Sequence, residues 1–399
     1  IRIASTNTGS CLSTATNTTL RFLSGSKLEW QRSGGSAPNA NFMDGSVINV
    51  TGIVASNMNF NSSAIYNGLL IWNCPSQAIS GSSAILLPTT SATMDSIRVV
   101  NTGSGSLRFT TNPNGYTIGS LEVQGGTLEL SAPNSGSNNL TDTIVNEFKI
   151  SGGTVYGNAT YNFDNVSAYP DTLILRGNYI QTGGTFDFTN RPSGLLPGGS
   201  FVMTAKGNVT QTAGTITATQ GFGAQNQLTM SGTTMQNLDI KTLTGTITFT
   251  INNTAGVDLK NNLSLPYFLQ LLKGYLQINN YDVSVASTQL TQASVSPKPR
   301  IVTNGFGKLI ITNIGNGGLQ TYPVAPFVNG YNPVTIANGE ATAKTFKVRV
   351  EYGITPSAAS IDLNKVVNRT WTINSTTPVT PNNISVKFSY ADTEKVVSS

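Results

Sequence analysis

Gln124-Gly125-Gly126-Thr127-Leu128, Ser151-Gly152-Gly153-Thr154-Val155, Thr182-Gly183-Gly184-Thr185-Phe186, Thr212-Ala213-Gly214-Thr215-Ile216 and Leu243-Thr244-Gly245-Thr246-Ile247 carry one recurring pattern: a small pair ending in glycine, then threonine, then an apolar residue. The pattern glycines stand at 126, 153, 184, 214 and 245, and a weaker copy at Gly274-Tyr275-Leu276 continues the series. An alternating run precedes each full copy: Leu121-Glu122-Val123, Phe148-Lys149-Ile150, Tyr179-Ile180, Val209-Thr210 and Leu238-Asp239-Ile240. Alternation of period two is a strand signal. The interval between copies is nearly constant at about 30 residues, a period that marks units burying their apolar edge only by stacking on neighbours. Each copy therefore reads as one coil of a β-solenoid, with Gly126, Gly153, Gly184, Gly214 and Gly245 supplying positive φ at a corner between two strands.

Composition agrees. The 399 residues exceed what one globular core usually holds, so the chain must divide or grow lengthwise. Only 10% of residues are charged, and 40 glycines with abundant Ser, Thr and Asn disfavour long helices. A 38% hydrophobic content in short alternating runs disfavours disorder. The expected fold is all-β: a parallel β-helix (β-solenoid) followed by a small C-terminal β-sandwich. Residues 1–100 read as an N-terminal cap and first irregular coils, with Trp30 and Trp72 in the core; residues 101–295 as the regular repeats. Past Pro297-Lys298-Pro299, longer alternating strands at 308–312, 345–351 and 369–373, punctuated by Pro323, Pro326 and Pro333, read as a sandwich-like domain over 296–399.

The net charge is +5, and the cations Lys298, Arg300, Lys308, Lys344, Lys347 and Arg349 are dispersed among strand residues, so no nucleic-acid face is expected. Two cysteines, Cys11 and Cys74, suit either one staple, worth about 4 kcal/mol if formed, or two buried thiols. No apolar run reaches the roughly 18 residues of a membrane span; the stretch 265–276 is broken by Pro266, Gln270, Lys273 and Gly274. The start at Ile1 without a signal peptide fits a processed, secreted chain.

The absence of histidine removes Ser-His-Asp and Cys-His nucleophile systems and the usual zinc sites. Carboxylate chemistry remains. Glu122 and Glu129 flank the first Gly-Gly turn, as glycosidase carboxylates flank a bond, but alternation with Leu121, Val123, Leu128 and Leu130 assigns both to a solvent face. Asp164, Asp171 and Asp187 lack the dense oxygen pattern of a calcium loop and read as solvated. Neither metal nor cofactor is expected. Gly305-Phe306-Gly307-Lys308 has Val302 and Leu309 where a phosphate loop needs Gly and Ser/Thr, and Gly221-Phe222-Gly223 lacks a third glycine; both read as turns. Thr246, Thr248 and Thr250 alternate as in an ice-binding row, but other coils do not repeat them. No catalytic residue is assigned, and the chain reads as non-enzymic.

Leu28-Glu29-Trp30-Gln31-Arg32, Trp72-Asn73-Cys74-Pro75, Gly207-Asn208-Val209-Thr210-Gln211-Thr212, Tyr331-Asn332-Pro333-Val334-Thr335-Ile336 and Val367-Asn368-Arg369-Thr370-Trp371 occur in that order. In this the chain resembles large secreted β-helix surface proteins of the Bacteroidota, often exported by the type IX route. The resemblance implies an extracellular or cell-surface protein of structural and adhesive type. In similar proteins further sandwich strands and a sorting domain follow the stretch corresponding to 367–373, so the sandwich here is expected to be incomplete. A strand from another subunit would complete it, giving a homo-oligomer by head-to-tail or strand-addition contacts and hence a filament or layer. The alternatives are a monomeric adhesin that binds glycans and, behind it, a polysaccharide-active enzyme. Asp95-Ser96-Ile97, Asp142-Thr143-Ile144 and Asp171-Thr172-Leu173 resemble the O-glycosylation triplets of this bacterial group, with Ser96, Thr143 and Thr172 as acceptors.

Overall fold

The computed structural model describes residues 1–4, 16–80, 93–109, 115–131, 141–158, 170–189, 200–219, 226–354, 366–380, 382–391 and 394. The protein is all-β, with no α-helix among the described residues. Two compact units are present: residues 1–228 with 244–247, and residues 229–243 with 248–399.

In the first unit each strand pairs in parallel with a strand one repeat further on. One ladder runs Leu28↔Ile48↔Leu70↔Ile97↔Leu121↔Phe148↔Tyr179↔Val209. A second runs Leu107↔Leu128↔Val155↔Phe186↔Ile216, and a third Met94↔Ile118↔Ile144↔Leu175↔Ala205. All of these residues are buried. The pairing reaches back to Arg2–Ile3, which joins Glu29–Trp30, so the N-terminal strands stack like the rest. Their interval is shorter: Leu28, Ile48 and Leu70 follow one another more closely than Phe148, Tyr179 and Val209 do.

Parallel register puts like on like. Phe22, Phe42 and Tyr66 are consecutive partners and stack with ring centroids 4.6 and 5.5 Å apart, each such pair adding about 1 kcal/mol beyond its buried area. Trp30 and Trp72 are buried core residues, and Trp72 Nε1 donates to Gln77 Oε1 at 2.8 Å.

Of the five glycines expected at corners between two strands, Gly126, Gly153 and Gly245 stand between strands, whereas Gly184 and Gly214 lie inside the continuous strands Asn178–Thr189 and Val209–Thr217, at register shifts. Gly126, Gly153, Gly184, Gly214 and Gly245 have φ of 74°, 71°, 66°, 86° and 74°. A Cβ on Gly153 would lie 2.5 Å from Gly126 O, and one on Gly184 2.6 Å from Gly153 O. Those same carbonyls accept the amides of Thr154 and Thr185, both at 2.9 Å. Close approach and the positive φ thus coincide. Gly245 differs in place: its nearest neighbour is Ala218 O, not the Gly214 corner.

Beside these glycines, buried glutamines bond neighbouring backbone carbonyls and each other. Gln181 Nε2 donates to Gly184 O and Thr215 O at 3.1 and 3.2 Å, while Gln211 Nε2 donates to Gln181 Oε1 at 3.1 Å. Tyr179 OH adds a donation to Gln181 Oε1 at 3.0 Å.

In the second unit parallel pairing runs Leu238↔Leu259 and Val257↔Leu276↔Ile301↔Val324, beyond the composition change near residue 296. Pairing then turns antiparallel. Leu309–Ile314 pairs with Lys344–Tyr352 and that strand with Arg369–Ser375; separately, Gly318–Tyr322, Val334–Asn338 and Ile384–Phe388 form a three-stranded antiparallel sheet. Contacts that join these sheets include Tyr322 OH donating to Phe346 O at 3.2 Å, Asn338 Nδ2 donating to Ile314 O at 2.7 Å, and the Trp371 and Phe388 rings 4.9 Å apart. The motifs at 331–336 and 367–371 meet here. Arg369 Nε donates to the buried Asn332 Oδ1 at 3.2 Å, pairs with Glu394 at 2.9 Å and lies over the rings of Phe327 and Tyr352.

Corner glycine is the feature most exposed to test. Gly184→Ala is expected to cost about 3 kcal/mol or more, since strain and clash add. Gly25, in the same unit, has a φ of 78° with nothing within 4 Å of a Cβ, so Gly25→Ala should cost about 1 kcal/mol. Equal losses in urea denaturation would contradict the close contact between successive corners.

Candidate functional site

Two outward rows of the first unit border a surface groove of about 460 Å³. One row is Leu69↔Ser96↔Ser120↔Glu147; its neighbour is Ile71↔Arg98↔Glu122↔Lys149. Asp44 and Asp95 complete the acidic lining, and Ser96 Oγ donates to Asp95 Oδ2 at 3.0 Å. Glu122 sits between two cations one repeat away on either side, with Arg98 Nε at 2.7 Å and Lys149 Nζ at 3.0 Å. Partial burial works against its ionisation, but hydrogen bonds from Gln124, Lys149 and Arg98 outweigh this and hold the carboxyl below its ordinary range. The groove offers hydroxyls, carboxylates and one guanidinium, the donors and acceptors that suit a polyhydroxylated ligand.

Glu129 does not share that surface. It is 1% exposed, takes Arg108 Nη2 at 2.8 Å, and accepts from Ser106 Oγ at 2.7 Å; Arg108 is 2% exposed. Alternation placed Glu129 on a solvent face, but this outer face is itself covered. Glu122 and Glu129 thus have separate partners. Their charge partners were findable in principle: Arg98, Glu122 and Lys149 lie one repeat apart, as do Arg108 and Glu129.

Other candidates resolve locally. Cys74 is buried, its thiol donates to Val50 O at 3.4 Å, and burial pushes it up to about 11, which makes it inert. Cys11 lies outside the described residues, so the staple does too. Of the three glycosylation triplets, Asp95-Ser96-Ile97 shows an exposed Asp and a half-buried hydroxyl; Thr143 and Thr172 are half-buried beside buried Asp142 and Asp171. Asp171 is 2% exposed and Asp187 4%, so neither is solvated as expected, while Asp164 lies outside the described residues. Asp187 accepts from the Thr189 and Thr219 amides at 3.0 and 3.1 Å, yet burial still pushes its carboxyl up.

Gly305-Phe306-Gly307-Lys308 is a turn leading into the strand Leu309–Ile314, with Phe306 exposed beneath Arg349. Gly221-Phe222-Gly223 lies outside the described residues. Thr248 and Thr250 are buried, which removes the ice-binding row. Of the dispersed cations, Arg300 and Lys344 are buried and donate to Gly330 O and Pro378 O, so they serve packing rather than a phosphate face. Among the described residues no helix is long and apolar enough to cross a membrane.

No family model, curated protein or solved structure matches this chain.

The two glutamates should behave differently when neutralised. Glu129→Gln leaves Arg108 buried without its counter-charge and is expected to cost about 3 kcal/mol or more. Glu122→Gln breaks half-exposed pairs and should cost under about 1 kcal/mol, less in high salt. Urea denaturation at two salt concentrations checks both; comparable losses would contradict the assignment.

Proposed function

We propose that the protein is an extracellular structural protein, a parallel β-helix closed by a C-terminal β-sandwich, whose subunits assemble by adding strands at the sandwich edge. One observation carries the reading. Among the described residues Ile384–Phe388 pairs only with Val334–Asn338, and its apolar Val386 and Phe388, partners of buried Ile336 and Val334, stay 37% and 43% exposed. An edge strand whose apolar residues stay partly exposed is a template for another strand. Polar, sparsely charged repeats and the lack of histidine support a structural rather than catalytic role, and the resemblance to secreted Bacteroidota β-helix proteins supports the cell exterior. Because the partner strand adds to a different surface from its own, contacts of this kind propagate into a filament or layer.

A second reading, a monomeric adhesin that binds glycans, is favoured by the groove at Asp95, Ser96, Arg98 and Glu147. The two separate in one experiment. Negative-stain microscopy of purified protein across a hundredfold concentration range should show growing filaments or sheets, and Val386→Lys should leave single particles. Dispersed particles of the unaltered protein at every concentration would overturn the assembly and leave the adhesin.

A further inference from the structure

One row of outward residues crosses the groove of the first unit and changes character along its length. Val47, Leu69, Ser96, Ser120 and Glu147 are consecutive partners in register, so they span about 19 Å in steps of one strand spacing. Val47 and Leu69 are apolar and half-buried, the two serines present hydroxyls, and Glu147 ends the row with a carboxylate. Two glycines bring neighbouring strands together at its edge. A Cβ on Gly68, beside Leu69, would stand 2.4 Å from Ser46 Oγ, and one on Gly119, beside Ser120, would stand 2.3 Å from Asp95 O. The volume of about 460 Å³ is that of a small-ligand site.

Charge in the groove is unbalanced. Four carboxylates line it against one guanidinium. Arg98 is taken by Glu122, which also takes Lys149 from beyond the groove. Asp44, Asp95 and Glu147 make no ion pair among the described residues. Other outward acids of this unit are served: Glu29, on the row of Glu122, is held by Arg2 and Lys27. The chain as a whole carries a net charge of +5, so the excess of anion is local to the groove.

We propose that the groove binds a glycan carrying free amino groups, an amino sugar in its ammonium form. This goes beyond assembly, which uses the sandwich edge, and rests on the glycan reading of the groove, whose ligand class it names. Ammonium groups answer the three unpaired carboxylates. Ring hydroxyls answer Ser96 and Ser120, and the apolar faces of the rings lie against Val47 and Leu69. An acidic sugar would meet repulsion from all three carboxylates. A basic peptide would bring the charge, but the strands under the groove are already paired on both sides and leave no backbone for it to bond.

Titration calorimetry on the full chain tests this with a glucosamine trimer, its N-acetylated counterpart, a glucose trimer, a galacturonic acid trimer and trilysine. The glucosamine trimer is expected to bind at least about tenfold more tightly than any other, and to weaken as salt rises from about 50 to about 500 mM. The double variant Asp95→Asn, Glu147→Gln, altered at an exposed and a half-buried carboxylate, should keep its Tm and bind the glucosamine trimer at least about tenfold more weakly. Glu351→Gln, in the second unit, should bind as the unaltered protein does. Equal binding of the N-acetylated trimer would overturn recognition of the amine while leaving a glycan site. Equal binding of trilysine, or undiminished binding by the double variant, would overturn the proposal as well. If no sugar of any charge binds, the glycan reading falls with it.

Discussion

Parallel stacking in register governs the first unit, because each residue must tolerate the one directly above and below it about 4.8 Å away. Apolar residues meet that demand without cost, as in the row from Leu28 to Val209. Aromatic rings meet it by stacking, as Phe22, Phe42 and Tyr66 do. Charges meet it only by alternating in sign, and Arg98, Glu122 and Lys149 do so on consecutive repeats. Glycine at the corner answers the same demand for the backbone, since the carbonyl of one repeat occupies the space a Cβ of the next would need.

The same rule separates structural polar groups from the unusual ones. Gln181 and Gln211 are buried yet satisfied, each amide serving a corner carbonyl or its neighbour's side chain. Arg108 and Glu129 pair across one step. Asp142 breaks the rule, since the inward position level with it is Leu173 and the one before Thr117 is Tyr116. A carboxyl there has no opposite charge level with it in its own row, and burial pushes it well up.

Much of the all-β character was legible because glycine, threonine and alternating apolar residues state it locally. The positive φ of Gly153 and Gly184 was legible for the same reason, though Gly184 lies inside the continuous strand Asn178–Thr189 rather than between two strands. Gly245 matched the motif but sits against Ala218, since so short a motif does not encode which repeat it stacks on. The early repeats were harder: the shorter steps from Leu28 to Ile48 to Leu70 carry no Gly-Gly-Thr motif to announce them. Burial of outward residues was not legible at all. Glu129 alternates correctly with Leu128 and Leu130, yet all three are buried, because alternation reports which face a residue takes and not what covers that face. The groove was not legible, because its residues, Asp44, Asp95, Arg98 and Glu147, come from repeats far apart in sequence.

Everything rests on the register between successive repeats, and cross-linking measures it directly. Thr154, Thr185 and Thr215 are successive, half-buried strand partners. Cysteines at 154 and 185 stand one strand spacing apart, within disulfide reach, whereas 154 and 215 are two spacings, about 10 Å, apart and cannot be bridged. Mild oxidation followed by peptide mass mapping should link Thr154→Cys to Thr185→Cys in high yield and leave the Thr154→Cys, Thr215→Cys pair open. A 154–215 bond, or no bond between 154 and 185, would contradict the stacked register.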